Sequence, residues 1–199
     1  MKKLINAIAF VVVTLITTSS FSYNSNPKIF ISELVKDALS TLSDKNISIA
    51  DKNKKIETIA LEHIDIEALG MYTLGAVRKN LDEKTLEKYQ SLFEKYFLKS
   101  LTSRLTDYSS QKFEVLGAEQ KSETYTIVAS KISESSSQQE IKIDWRVYTK
   151  NPEKPLVRDL IVEGLSLAKT QKEEFKSILS SNNNDINILF SKLEEFIKN

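Results

Sequence analysis

The chain has a single histidine, His63, and no cysteine. Zinc centres draw on several imidazole or thiolate ligands, so this composition argues against one. His63 falls on the inner or boundary face of a helix and is expected to be structural. Gly164-Leu165-Ser166-Leu167-Ala168 has a superficial likeness to a nucleophile elbow. That motif turns straight into a helix and is followed in the chain by a histidine, whereas here the helix is placed from Thr170 and His63 lies far upstream. Neither a phosphate-cradling glycine loop nor a dinucleotide fingerprint is present. Three carboxylates, Asp144, Asp159 and Glu163, fall on strand segments. They are candidates for acid–base work or, more simply, for pairing with lysine or arginine across a sheet. Asp159 and Glu163 alternate onto one strand face, with Arg146 or Arg158 as the expected partner.

The elements that hold these residues follow from periodicity. Asn26-Pro27 reads as an N-cap with proline in the first helical position, and Ile31, Leu34, Val35, Ala38 and Leu42 recur at helical spacing. Ile56, Ile59, Ala60 and His63 suggest a second helix. Asp65 can cap a third, carrying Leu69, Tyr72 and Ala76. Asp82 can cap a fourth, with an aromatic-rich stripe of Leu86, Tyr89, Phe93, Tyr96, Phe97, Leu101, Leu105 and Tyr108. From Glu83 to Tyr108 that helix would run roughly 39 Å. After Tyr108 the period changes to two, through Phe113–Gly117, Tyr125–Ala129, Ile141–Val147 and Leu156–Glu163. Thr170-x-x-Glu173 is a capping box for a further helix, and Asp185 caps the last. Helices, then about four antiparallel strands, then helices define an α+β fold.

The N-terminus reads Met1-Lys2-Lys3, an apolar run from Leu4 to Ile16, then small and polar residues through Ser22. This is the pattern of a cleavable export signal, with the cut expected after Ser22 and an uncleaved anchor as the alternative. The apolar run is short for a membrane span, and no later run approaches that length, so the exported domain, 23–199, is expected to be soluble and single. The whole chain carries 28 basic and 27 acidic residues, for a net charge of +1; without Lys2 and Lys3 it is −1. Near-neutrality with mixed signs offers nothing to nucleic acid. An exported chain without cysteine must be stabilised by its core alone.

Several segments, in order, resemble the MlaC or toluene-tolerance family of phospholipid-binding auxiliary proteins. They are Ile64-Asp65-Ile66-Glu67-Ala68-Leu69 with Leu74-Gly75, the long helix around Leu92-Phe93-Glu94 ending at Tyr108, and Asp144-Trp145-Arg146-Val147. The most specific is Val157-Arg158-Asp159-Leu160-Ile161-Val162-Glu163-Gly164-Leu165-Ser166-Leu167, continued by Thr170-Gln171 and Phe175. The chain departs from the family pattern in having Pro155-Leu156 where a tryptophan is common, Trp145 where a tyrosine is usual, and Lys172 in place of arginine.

The resemblance implies a nuclear-transport-factor-like cone, a curved antiparallel sheet wrapped by helices around an apolar cavity. It also implies a periplasmic shuttle that carries phospholipid as cargo and has no other cofactor. Its implied partners are an outer-membrane lipoprotein complex and an inner-membrane ABC transporter with a lipid-binding ring. A monomer suits a shuttle. The candidate lipid-binding residues are Leu69, Tyr72, Leu74, Phe93, Tyr96, Phe97, Leu101, Leu105, Tyr108, Trp145, Val147 and Leu165. Sequence alone does not separate apolar residues that line a cavity from those that fill a core. Two other functions stay open. One is an isomerase or dehydratase of the same cone fold, with Asp144, Tyr148 and His63 in its cavity, although alternation sets Asp144 and Tyr148 opposite Trp145 and so outside a cavity that Trp145 lines. The other is an envelope interaction module with a filled core.

Overall fold

A computed structural model describes residues 23–105, 111–134 and 140–199. The expected cut after Ser22 and the candidate residue Tyr108 lie outside them. Among the described residues there are six α-helices and one five-stranded antiparallel sheet in the order β1-β2-β3-β4-β5. The strands are β1 (Gln111–Ser122), β2 (Tyr125–Glu134), β3 (Glu140–Tyr148), β4 (Leu156–Val162) and the two-residue β5 (Leu165–Ser166). The α+β architecture is the one the change of period predicts.

Helix α1 (Pro27–Ser43) begins where Asn26 Oδ1 accepts from the Lys28 and Ile29 amides at 3.0 and 3.4 Å. Phe30, Ile31, Leu34, Val35 and Leu42 form its buried stripe. The first four of these meet Val128, Val147 and Val157 on one face of the sheet, with Phe113, Val115, Trp145 and Leu160 packed against them. Ser130 Oγ accepts from the Trp145 indole at 2.9 Å and donates to the Ile143 carbonyl at 2.8 Å, so no polar atom of this group is stranded in the interior.

The remaining helices form a second core. Helix α2 (Ile49–His63) leads through Ile64 and Asp65 into α3 (Ile66–Leu74), and a 3₁₀ turn (Gly75–Asn80) leads on to α4 (Glu83–Leu105). Helices α5 (Leu167–Ser180) and α6 (Ile186–Lys198) close the chain. Leu69, Leu74, Tyr89, Phe93, Phe175, Leu179, Leu189 and Leu193 are buried together here. At Gly70, α3 approaches α4 so closely that a Cβ would lie 2.9 Å from a Phe93 ring carbon.

Two local expectations are revised. The helix expected from Thr170 begins at Leu167. Its N-cap is Ser166, whose Oγ accepts from the Lys169 amide at 3.0 Å, while Asp159 Oδ1 accepts from the Ala168 amide at 3.0 Å. Two of the orphan amides of the first turn are thereby satisfied earlier than the capping box would do it. Glu163 was expected on the strand beside Asp159. It lies instead in a two-residue hairpin with Gly164, both at positive φ (49° and 82°), the geometry that joins tightly paired antiparallel strands. Its carboxylate turns back to accept from the Lys142 amide.

Candidate functional site

The second face of the sheet is not filled. Between it and α3 lies a cavity of about 1130 Å³. Its sheet wall is Gly117, Ala118, Glu119 and Lys121 of β1, Tyr125, Ile127 and Ala129 of β2, Asp144 and Arg146 of β3, and Arg158, Asp159 and Ile161 of β4. Ala68, Leu69 and Tyr72 of α3 and Ala168 of α5 form the opposing wall. Leu69, Asp159 and Ala168 are buried, whereas Ala118, Glu119, Lys121 and Tyr72 are exposed. The floor therefore lies against β4 and α5, and the mouth along β1.

Room is made by small residues in register. Gly117 pairs with Ala129, and Ala129 pairs in turn with Asp144. A Cβ built on Gly117 would touch nothing within 4 Å. β4 contributes through a bulge: Arg146 pairs with Asp159 and Val147 with Val157, leaving Arg158 without a register partner. A bulge breaks the alternation of faces, and it brings the neighbours Arg158 and Asp159 to the cavity together.

The charged groups on this wall are mostly neutralised. Arg158 Nη2 lies 2.7 Å from Asp65 Oδ2, its Nη1 donates to the Tyr125 hydroxyl at 2.9 Å, and the guanidinium sits 3.4 Å from the Tyr148 ring centroid. Burial works against the charge of Arg158, yet its pKa is raised, because the Tyr125 and Asp65 contacts together outweigh that burial. Asp159 Oδ2 accepts from Ser166 Oγ at 2.6 Å and stands 3.6 Å from Arg146 Nη1. Glu119 and Lys121 meet at 2.6 Å at the rim. This is a chamber with an apolar and small-residue interior whose charges, Asp144 apart, are tied off, a place to hold an apolar body with a polar end.

The structure distributes the sequence candidates widely. Leu69 and Tyr72 line the cavity. Leu74 and Phe93 are buried in the helical core, with Tyr96 and Phe97 packed against it. Leu101 and Leu105 are half-buried near the end of α4, and Leu165 is 69 % exposed on β5. Trp145 and Val147 face α1, on the other side of the sheet. The enzyme-like trio is not assembled: Asp144 borders the cavity, Tyr148 stacks on Arg158, and His63 packs on Tyr23 and Phe30. Ser166, the elbow-like serine, is engaged as a helix cap and by Asp159.

The lining residues that sequence reasoning passed over are mainly the small and charged ones of β1 to β4. One signal for them was legible: alternation sets Ala129 opposite Val128, and Asp144 opposite Trp145 and Val147. Gly117 was not, since alternation groups it with Phe113 and Val115, and only the register shift between Val115 and Gly117 turns it to the cavity. Among the described residues no group of three or more candidate metal ligands occurs, and no helix is long and apolar enough to cross a membrane.

No curated protein matches this sequence. Seven solved chains match it in structure. One is a phospholipid-binding protein from Ralstonia solanacearum in complex with a phospholipid; it is 18 % identical, superposes with a TM-score of 0.71, and the match covers 88 % of this chain and 97 % of that one. The model of the MlaC protein family matches residues 32–195. With that match spanning the helices, the sheet and the cavity they enclose, the chain belongs to the MlaC family.

Proposed function

We propose that this protein is a periplasmic phospholipid carrier. It would be exported by removal of residues 1–22 and would work as a single domain, 23–199, carrying lipid between the outer and inner membranes as the soluble part of an Mla-type ABC transport system. The observation that carries this reading is the cavity of about 1130 Å³. It exceeds the roughly 300–1,000 Å³ that suits a drug-sized ligand, which favours a lipid over the small substrate of a cone-fold isomerase. Membership of the MlaC family and the fold shared with a protein solved holding a phospholipid support the same reading.

The energetics suit a shuttle. Each buried methylene is worth about 0.8 kcal/mol against water, so two ordinary acyl chains are retained by roughly 20 kcal/mol. Against a bilayer the same contribution nearly cancels, so loading and unloading need no chemistry in the carrier itself. Charges paired with each other along the wall spare the chains contact with isolated ions. Partners for delivery would be an outer-membrane lipoprotein complex and an inner-membrane transporter with a lipid-binding ring, met by a monomer.

Native mass spectrometry of the protein purified from the periplasm, with organic extraction, tests this. A stoichiometric phospholipid is expected. Protein that is empty and also takes no lipid from vesicles would sink the carrier reading and favour an envelope interaction module.

A further inference from the structure

We infer that the cavity selects among phospholipids by headgroup, and that Asp144 is the selecting residue, receiving the ammonium of an amine-bearing headgroup. This rests on the carrier reading above and adds a substrate preference to it.

The inference comes from charge accounting along the wall. Lys121 is taken by Glu119 at 2.6 Å, Arg158 by Asp65 at 2.7 Å, and Arg146 stands beside Asp159 at 3.6 Å. Asp144 is the remaining charged residue of the lining. Among the described residues its carboxylate has no ion-pair or hydrogen-bond partner. Its register neighbours are Ala129 on β2 and Ile161 on β4, neither of which offers a side-chain donor. The nearest lysines on that face do not serve it. Lys131 is held by Glu140 and Glu114 at 2.8 and 3.3 Å, and Lys142 is exposed and does not border the cavity. A half-buried carboxylate beside an apolar chamber is costly without a cation, and a lipid ammonium supplies one.

Arg146 provides the complementary half. It lies two residues further along β3 on the same face, about 6.6 Å away by strand geometry. Its hold on Asp159 is loose, and Asp159 keeps two short bonds without it, to Ser166 Oγ at 2.6 Å and the Ala168 amide at 3.0 Å. The Arg146 guanidinium can therefore turn to a phosphate while Asp159 remains satisfied. Its side chain is 44 % exposed, which places it where a headgroup would meet water. A cation and an anion at this spacing match the order of charges in a zwitterionic headgroup, with phosphate on Arg146 and ammonium on Asp144. A net-anionic headgroup ending in hydroxyls leaves Asp144 unpaired.

The test uses lipid-stripped protein incubated with vesicles of equal parts phosphatidylethanolamine and phosphatidylglycerol, and bound species weighed by native mass spectrometry. The ethanolamine lipid is expected to be enriched about threefold to fivefold, the scale of one partly exposed ionic contact. Asp144→Asn, which preserves size, should bring uptake of the ethanolamine lipid down to that of the glycerol lipid, and Asp144→Glu should keep the enrichment. Arg146→Gln should lower uptake of both lipids without moving their ratio, since both carry the phosphate. A wild-type ratio equal to that of the vesicles, or an enrichment that survives Asp144→Asn, overturns the selection while lipid-loaded protein leaves the carrier reading intact. Protein that takes up neither lipid overturns both.

Discussion

Arg158 and Asp65, 93 residues apart, meet at 2.7 Å through both Nε and Nη2 of the guanidinium and one carboxylate oxygen, Oδ2. The other oxygen, Oδ1, caps α3 by accepting from the Ala68 amide at 3.1 Å. One aspartate thus both starts the helix that walls the cavity and ties it to the bulge of β4. The backbone makes the same join, since Ile64 bridges Val157 and the Asp65 amide donates to the Val157 carbonyl at 2.9 Å.

The two duties of Asp65 can be separated. Asp65→Asn keeps a capping oxygen and loses the charge, and should cost about 1.5–3 kcal/mol, the worth of a hydrogen bond to a charged group. Asp65→Ala should cost about 1 kcal/mol more through the lost cap. Urea unfolding midpoints check this; equal midpoints for the two variants would mean that the cap contributes nothing separate.

Asp159 is 4 % exposed and gathers Ser166, the Ala168 amide and Arg146. Asp159→Ala strands those donors and weakens the start of α5, so a loss of about 2 kcal/mol or more is expected. Thermal unfolding reads it directly. An unchanged melting temperature would remove Asp159 as a fastening point of the sheet.

Filling the cavity should abolish loading without harming the fold. Gly117→Phe introduces a ring where an added Cβ meets nothing within 4 Å, so stability should hold within about 0.5 kcal/mol, as for a substitution away from packed groups. Lipid recovered with the purified variant should fall severalfold against wild type. Full loading would show that acyl chains lie elsewhere.

His63 gives stability a dependence on pH. Burial lowers its pKa below the ordinary 6.5 despite Glu62 at 3.6 Å, helped by Lys154 and opposed by Glu62 and Asp37. The unfolded chain therefore binds a proton that the folded chain refuses. This contribution is whole above 6.5 and is lost as pH falls from there toward the lower folded value. His63→Gln should flatten the slope of stability against pH below 6.5 relative to wild type. Parallel slopes in urea titrations across that window would contradict it.

Much of the fold was legible from local rules. The caps at Asn26, Asp65 and Asp185 act where the residue types place them, because a short polar side chain before a helix satisfies amides that nothing else in the segment can reach. The change of period after α4 marks the sheet, because side chains alternate across a strand whatever packs on it. The elbow-like stretch was harder. Ser166 and Thr170 both offer a capping hydroxyl, and the choice fell to Ser166 with Asp159, across the sheet, holding the next amide.

The cavity belongs to tertiary structure. By itself the sequence determined the helices and strands, the alternation that sets Asp144 against Trp145, and the motif run from Val157 to Leu167. It did not say which face of the sheet would be filled. Large apolar side chains such as Val128, Val147 and Phe30 are identical in character whether they line a space or close it, and here they close it against α1. The open face is the one with Gly117 and Ala129 in register and a bulge that turns Arg158 and Asp159 inward together. Only the packing of α1 on one side, and α3 with the start of α5 on the other, decided that small and paired polar residues would surround the space.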